Sequence, residues 1–591
     1  MNQETKQSDK SPAGHLDGPV TIAPGARLVG CQNCKQDFVI EPDDFTFYQK
    51  IDVPPPTFCP ECRFQRRLAF FNLTTLYKRP CDLCKKEFVS TFAPGTPYVV
   101  YCPKCWWSDD WDAYSYGREY DFSRPFFEQW EKLHRQVPMG GLSTDYLTLV
   151  NSEYTNHAGH LKNCYLIFQA DFNEDCACGV YLKRNTSLLD CSNALNSEWC
   201  YDCMHIFKNS RCVGTMGNVT ETLEGIFLRD CDNCQNCFAS ANLRNKKYYI
   251  FNEPYTKEKY FEAIKKWDLG SYKTYQEVKK LTHEHWKKLP PRPAYDDFSV
   301  NCTGSYVFES KNCKESFDVS GVEDGKYLFM LSLAPMKDCY DVSAWGNNIN
   351  LAYESVAVGE NISDVRFCDE TGLNLLDAEY SKMVFGGSHV FGCIGIKKGE
   401  YCILNKRYSE QEFKELKKKI IAHMDEMPYT DKKGRVYKYG EFFSAELSPY
   451  PYNDTLAQRF FPISSTKATE ENYRWKEDEK TNHIITKQVA ELPDHIKDVP
   501  QSITSEVIGC ATCGRGFKMI QFEFEFLKKM NLPLPRQCPF CRLRERLDQW
   551  VKELRMIDRV CSKCGTQFQT HYSKEEAEYI LCKKCYQQEV A

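Results

Sequence analysis

Two stretches decide the reading of this chain: Cys31-Gln32-Asn33-Cys34 and Cys59-Pro60-Glu61-Cys62-Arg63-Phe64-Gln65-Arg66-Arg67-Leu68. With Cys81/Cys84 and Cys102/Cys105 they make four Cys-x-x-Cys pairs, and the set returns as Cys510/Cys513, Cys538/Cys541, Cys561/Cys564 and Cys582/Cys585. The first cysteines of successive pairs are 28, 22 and 21 residues apart in one copy and 28, 23 and 21 in the other, so the cassette is duplicated. Phe38 and Phe517, Phe45 and Phe524, Arg63 and Arg542, and Leu68 and Leu547 keep the same offset. Two residues between cysteines let one tight turn aim both sulfurs at one ion, and a second pair completes a tetrahedral thiolate shell. The expectation is four structural ions, zinc before iron, with disulfides as the alternative. The first pair of each site precedes strand-like residues (88–92, then 98–101) and the second opens a helix. This order of knuckle, hairpin and helix resembles a treble-clef zinc ribbon.

Outside the cassettes, ten of the sixteen cysteines follow Asn or Asp, as at Asn163-Cys164, Asp175-Cys176, Asp190-Cys191 and Asp338-Cys339. A turn residue followed by a small buried one is what each corner of a stacked β-solenoid needs. Cysteines 313, 339, 368 and 393 are 26, 29 and 25 apart, which reads as one coil each. Residues 238–261 align without a gap to 391–414, an offset of 153, so the solenoid also occurs twice. Each half should end in a strand, a turn at Asn252 or Asn405, and a helix, with Ser409 and Glu412 forming a capping box. Such a helix protects the open edge of a solenoid.

The expected architecture is therefore mainly β and multidomain, with duplicated double zinc ribbons flanking a tandem β-solenoid with capping helices. In order, it has a disordered tail (1–25), the N-terminal double ribbon (26–108) and a helical, aromatic linker (109–149). The first solenoid half (150–255), a capping helix and linker (256–297), the second half (298–408) and its capping helix (409–427) follow. An extended aromatic and Pro-rich linker (428–505) leads to the C-terminal double ribbon (506–591).

Composition bounds the function. The 591 residues are 42% hydrophobic and 27% charged, as in a globular protein, and the net charge of −5 argues against a molecule that binds polyanions over its whole surface. The polar opening 1–10 has no apolar core for an export signal, and no run of eighteen apolar residues occurs. A reducing cytoplasm, without membrane attachment, is expected for 32 cysteines in such a chain. No phosphate-cradling glycine loop, dinucleotide fingerprint, nucleophile elbow or zinc-protease histidine pair is present. His157 and His160 with Asp171 or Asp175 offer an acid–base grouping, against structural roles for each. Cys231, Cys234 and Cys237 look like part of an iron–sulfur motif, but position 241 is Ala, and the solenoid corner reading is preferred. The run Trp106-Trp107-Ser108-Asp109-Asp110-Trp111 is a platform for a ligand or a cover for the ribbon.

The remaining candidates are cations beside the metal. Arg63, Arg66 and Arg67, and Arg536, Arg542, Arg544 and Arg546, cluster at the helices that follow a cysteine pair. Arg63 and Arg67 share a helix face, as do Arg542 and Arg546. Such forks suit phosphates, or else they offset the −2 of each thiolate site. The C-terminal cassette has 15 basic and 9 acidic residues, so +6 falls to about +2 with its ions; the N-terminal one has 10 and 8 and falls to about −2.

The stretches Pro54 to Arg63, Tyr120 to Gln129, Asn151 to Asn156 and Asn245 to Asn252 carry a family likeness. Through them the chain resembles, along most of its length, uncharacterised zinc-ribbon proteins of candidate phyla radiation (Patescibacteria) bacteria. Such chains sometimes bear a CoA-transferase label, which no residue pattern here supports, and the resemblance implies no activity. The expectation is a non-enzymatic zinc protein that binds RNA or DNA. The alternatives are a protein-binding scaffold with purely structural zinc and a carbohydrate-acting solenoid enzyme.

Overall fold

The computed structural model describes residues 24–331, 333–477 and 484–590, so all but the end of the expected tail lies outside the described residues. Each ribbon begins with a hairpin whose turn is a cysteine knuckle. Arg27–Gly30 pairs antiparallel with Asp37–Ile40 around Cys31 and Cys34, and Tyr77–Pro80 with Glu87–Ser90 around Cys81 and Cys84. The hairpin expected from 88–92 and 98–101 is thus replaced by one that flanks the knuckle. Val100–Tyr101 instead pairs parallel with Met139–Gly140. Helix α1 (Pro42–Lys50) links the knuckle to α2 (Pro60–Leu68), and α3 (Pro103–Trp107) follows the fourth pair. α4 (Phe126–His134) buries Phe126, Phe127, Trp130 and Leu133 against the rest of the molecule.

From His157 to Phe251 nearly every third residue is left-handed, for example Asn163, Leu166, Gln169, Phe172 and Asp175. The chain therefore turns every three residues, and four such steps close a coil. Thr186 pairs with Glu174 and with Glu198, twelve residues to either side. The residue after each corner points inward. Where that residue is Cys or Ser, its side chain donates back to the carbonyl two residues earlier: Cys164 Sγ to Lys162 O at 3.4 Å, Cys203 Sγ to Tyr201 O at 3.2 Å, Ser240 Oγ to Phe238 O at 2.9 Å. This explains the cysteines, since a thiol fills a narrow apolar interior while giving a weak donor to a carbonyl that the corner turns inward. Left-handed corners cost non-glycine residues about 1 kcal/mol or more each. Asn and Asp lower that cost, and ladders such as Asn151 to Asn163 to Asp175, at 3.1 and 3.0 Å, tie corners of successive coils together.

The second half repeats the plan with coils of twelve to fourteen residues. Gly304 pairs with Ser316, Glu323 with Lys337 and Gly346 with Gly359. Cys313, Gly325 and Cys339 stack in one column, so the spacing of 26 is two coils and not the single coil expected. The reason is the corner itself, which turns the chain after three residues. Each half closes with a short antiparallel return, Glu253–Pro254 and Lys406–Arg407. Helices follow: α5 (Lys257–Ile264) and α6 (Tyr272–Trp286) after the first half, and α7 (Glu410–Glu426), whose Ser409 and Glu412 form the capping box, after the second. No helix among the described residues is long and apolar enough to cross a membrane.

The two solenoids lie side by side and run in opposite directions. Gln169 Nε2 meets Ala344 O at 2.7 Å, Asn193 Nδ2 meets Asp318 at 3.3 Å, and the His205 and Tyr306 rings stack at 3.8 Å. Partner numbers fall in one stack as they rise in the other. The C-terminal ribbon adds α8 (Gln521–Met530), α9 (Pro539–Glu553) and α10 (Lys583–Val590). The ribbons cross over, so that α2 rests on the second solenoid and α9 on the first. Buried rings of the 428–505 segment, among them Tyr437, Phe442, Phe443 and Tyr450, fill the space beside α2 and α4.

Candidate metal centres and the arginine clamps

Each metal centre is assembled by the same local logic. The knuckle presents two sulfurs. In three centres the third cysteine N-caps a helix whose first residue is Pro60, Pro103 or Pro539, where no amide donor is needed, and in the fourth the helix after Cys582 begins at Lys583. In all four the last cysteine lies in the first turn. The amide of the third cysteine donates to the sulfur of the first: Cys59 N to Cys31 Sγ at 3.3 Å, Cys102 N to Cys81 Sγ at 3.2 Å, Cys538 N to Cys510 Sγ at 3.2 Å. The four quartets are Cys31/34/59/62, Cys81/84/102/105, Cys510/513/538/541 and Cys561/564/582/585, and within each the sulfurs lie within 4.8 Å of one another. The sulfurs of Cys34 and Cys59 are 3.8 Å apart, those of Cys513 and Cys538 also 3.8 Å, and those of Cys564 and Cys582 3.7 Å. A tetrahedron with metal–sulfur bonds of about 2.3 Å has an edge of about 3.8 Å, whereas a disulfide would bring sulfurs to about 2.05 Å. The donor set fits zinc, and the chain provides for about four structural ions.

Local bonds favour thiolates at the knuckle cysteines, while burial and then the neighbouring sulfurs push Cys105 and Cys541 above the ordinary thiol range. Hydrogen bonds from the Thr566 side chain and backbone hold Cys564 down at about 6, and the backbone at Lys86 holds Cys84 at about 7. Burial works against ionisation at Cys510, yet backbone donors at Cys513 and Cys538 bring it to about 6.

The arginines beside these centres face inward. Arg63 Nε and Nη2 donate to Asp341 Oδ2 at 3.0 and 2.8 Å, and Arg67 Nη1 donates to Asp341 Oδ1 at 2.9 Å. In the other copy Arg542 Nη1 donates to Asp190 Oδ2 at 2.8 Å and Arg546 Nη2 to Asp190 Oδ1 at 2.6 Å. Each fork thus grips both oxygens of one aspartate at a left-handed corner of the opposite solenoid. Arg66 bonds Glu354 and Glu441, with its guanidinium 4.1 Å from the Phe58 ring. Arg536 donates to Pro493 O at 2.8 Å and lies over Tyr272, while Arg544 is exposed. Burial alone would discharge Arg63, but Asp341 holds it well above the ordinary arginine range; burial pushes Glu354 up to about 7 even beside Arg66. Six of the seven guanidiniums are therefore engaged inside the protein.

The aspartate acceptors were hidden in the sequence. Asp190 reads there only as a turn residue before Cys191, and nothing in the linear pattern ties it to Arg542, 352 residues away. Cys231, Cys234 and Cys237 are successive inward corners of one coil, each donating to the carbonyl two residues earlier, at 3.4, 3.3 and 3.6 Å. The histidines part company: His157 is buried against Phe71, while exposed His160 pairs with Asp171 at 3.0 Å. Trp106 and Trp111 close around Lys397, whose Nζ lies 4.9 Å from each ring, so the run covers its ribbon. Neither a family model, nor a curated protein, nor a solved structure matches this chain.

Proposed function

We propose that the chain is a non-enzymatic, zinc-dependent protein-binding scaffold of the reducing cytoplasm. Its treble-clef-like ribbons act as clamps on a rigid tandem solenoid. One observation carries this reading: both duplicated arginine forks, at Asp341 and at Asp190, are spent on buried solenoid carboxylates. Zinc orders the helix start, the helix aims the fork, and the fork fixes the ribbon to the opposite solenoid. A phosphate backbone would need those guanidiniums free, and the net charge of −5 adds no general attraction. Contact surface for a protein is available where each solenoid opens: Leu147 and Val150 are 79% and 58% exposed, and Phe298 and Val300, at the matching place in the second half, are 89% and 66% exposed.

The test is metal content and co-purified nucleic acid on protein isolated without added metal. About four zinc per chain and an ultraviolet spectrum free of nucleic acid are expected. Bound RNA or DNA that is lost on Arg544→Ala would replace this reading with a nucleic-acid one.

A further inference from the structure

The seam between the solenoids seals one reactive group of side chains. Asp369 and Lys382 pair across adjacent coils of the second solenoid, with Lys382 Nζ 2.6 Å from Asp369 Oδ2 and 2.8 Å from Glu370 Oε2. The side chains of Lys382 and Asp369 are fully buried and that of Glu370 nearly so. His157, Phe71, Met383 and Tyr450 are buried as well, and His157 Nε2 lies 3.9 Å from Glu370. Asp369 Oδ1 is buried and has no hydrogen-bond partner among the described residues.

The coil pairing itself forms without such a trio. In the first solenoid, at the offset of 153, the paired positions are Met216 and Arg229, and Gly217 stands where Glu370 does. The trio is also an expensive choice, because one cation and two carboxylates in a dry seam leave a negative charge without water. Burial pushes Asp369 up to about 7 even beside Lys382, so near neutrality part of the population is the carboxylic acid. Glu370, which burial alone would raise, is held below the usual carboxylate range by Lys382. Against burial, Asp369 and Glu370 hold the Lys382 ammonium above the usual lysine range, so the proton transfer from Lys382 to Glu370 is the uphill step. An ammonium, a carboxylic acid and a carboxylate base in mutual contact, shielded from water, are the reactants for an amide.

We propose that Lys382 and Asp369 condense to an intramolecular side-chain amide that staples two coils, with Glu370 as the proton acceptor. Glu370 takes a proton from the Lys382 ammonium, and the freed amine attacks Asp369 Cγ. The C–N bond forms, the bond from Cγ to Oδ2 breaks, and the hydroxyl leaves with a second amine proton as water. The third amine proton stays on the amide and the first remains on Glu370, so nothing is oxidised or reduced. A neutral amide and a neutral Glu370 then replace the buried ions, which is the driving force in a seam that excludes water.

The experiment is peptide mapping of the denatured full-length protein with trypsin and mass spectrometry. A branched peptide joining the segments around Asp369 and Lys382, lighter than their sum by one water, is expected, with no cleavage after Lys382. Cleavage after Lys382, or labelling of its amine by an acylating reagent after denaturation, would overturn the proposal. Glu370→Gln is expected to leave both segments unjoined; a branched peptide in that variant would remove Glu370 from the mechanism. The wild-type map decides the cross-link even where a variant does not fold.

Discussion

Replacing Asp341 with Asn tests the clamp most directly. The carboxylate accepts three hydrogen bonds from two guanidiniums, at 3.0, 2.8 and 2.9 Å, and all three side chains are at most 1% exposed. Asn keeps the shape and one acceptor oxygen but leaves Arg63 and Arg67 as buried cations without the carboxylate they hydrogen-bond, with Glu354 the remaining charge near them. Breaking a buried pair in this way costs about 3–5 kcal/mol, which is about a hundredfold to several thousandfold in the opening equilibrium of the element that carries it. In a chain of several units the proper readout is local, so the assay is native-state hydrogen exchange of the α2 amides, with α9 as the internal reference. The control is Asp338→Asn, which breaks the pair with Lys50, a lysine 51% exposed; such a pair is worth about 1 kcal/mol or less. A loss at α2 no greater than in the control would refute the clamp. The rival role for the arginines, compensation of the thiolate shells, gives the opposite sign. If Arg63 and Arg67 chiefly serve the metal, freeing them from Asp341 tightens retention of the ion at Cys31/34/59/62 instead of loosening it.

The remaining predictions follow from the same contacts. Cys59→Ser removes one ligand but leaves a residue suited to the N-cap, so metal content falls by one ion per chain and α2 loses exchange protection for want of the ion while α9 keeps its own. Cys234→Ser leaves metal content unchanged and costs about 1 kcal/mol or less by chemical denaturation, because a serine hydroxyl makes the same corner bond, as Ser240 already does at 2.9 Å. His157 is pushed down to about 4 by burial. Its proton is bound in the unfolded chain below about 6.5 but not in the folded one, so its stability contribution is present above that pH and is lost as pH falls toward 4. The difference in stability between wild type and His157→Phe should therefore shrink by about 3 kcal/mol between pH 7 and pH 4. A difference that does not change with pH would show that His157 keeps its ordinary pKa in the seam.

What the sequence displays and what it conceals divide along a physical line. The four ligand quartets are legible because metal coordination needs fixed residue types at short fixed spacings, and duplication repeats those spacings. The corners are legible only where Asn or Asp precedes a cysteine. Leu166, Phe172, Trp199 and Tyr248 are also left-handed, yet none has a turn residue's chemistry, because there the stacked coils impose the conformation and the side chain does not. That is why a turn recurring every three residues looks, from the cysteines alone, like one coil every 25 to 29. The arginine forks show the same divide. Helical spacing announces that Arg63 and Arg67 act together, but an arginine pair is shaped equally well for a phosphate, a thiolate shell or an aspartate. Only the crossing of ribbons over solenoids decides which anion is there, and that crossing is a property of the duplicated fold. A half-molecule with one ribbon and its own adjoining solenoid would leave both the fork and its aspartate without partners. The clamp therefore requires both halves, and the fork in each ribbon has a function only because the solenoid it grips was duplicated with it.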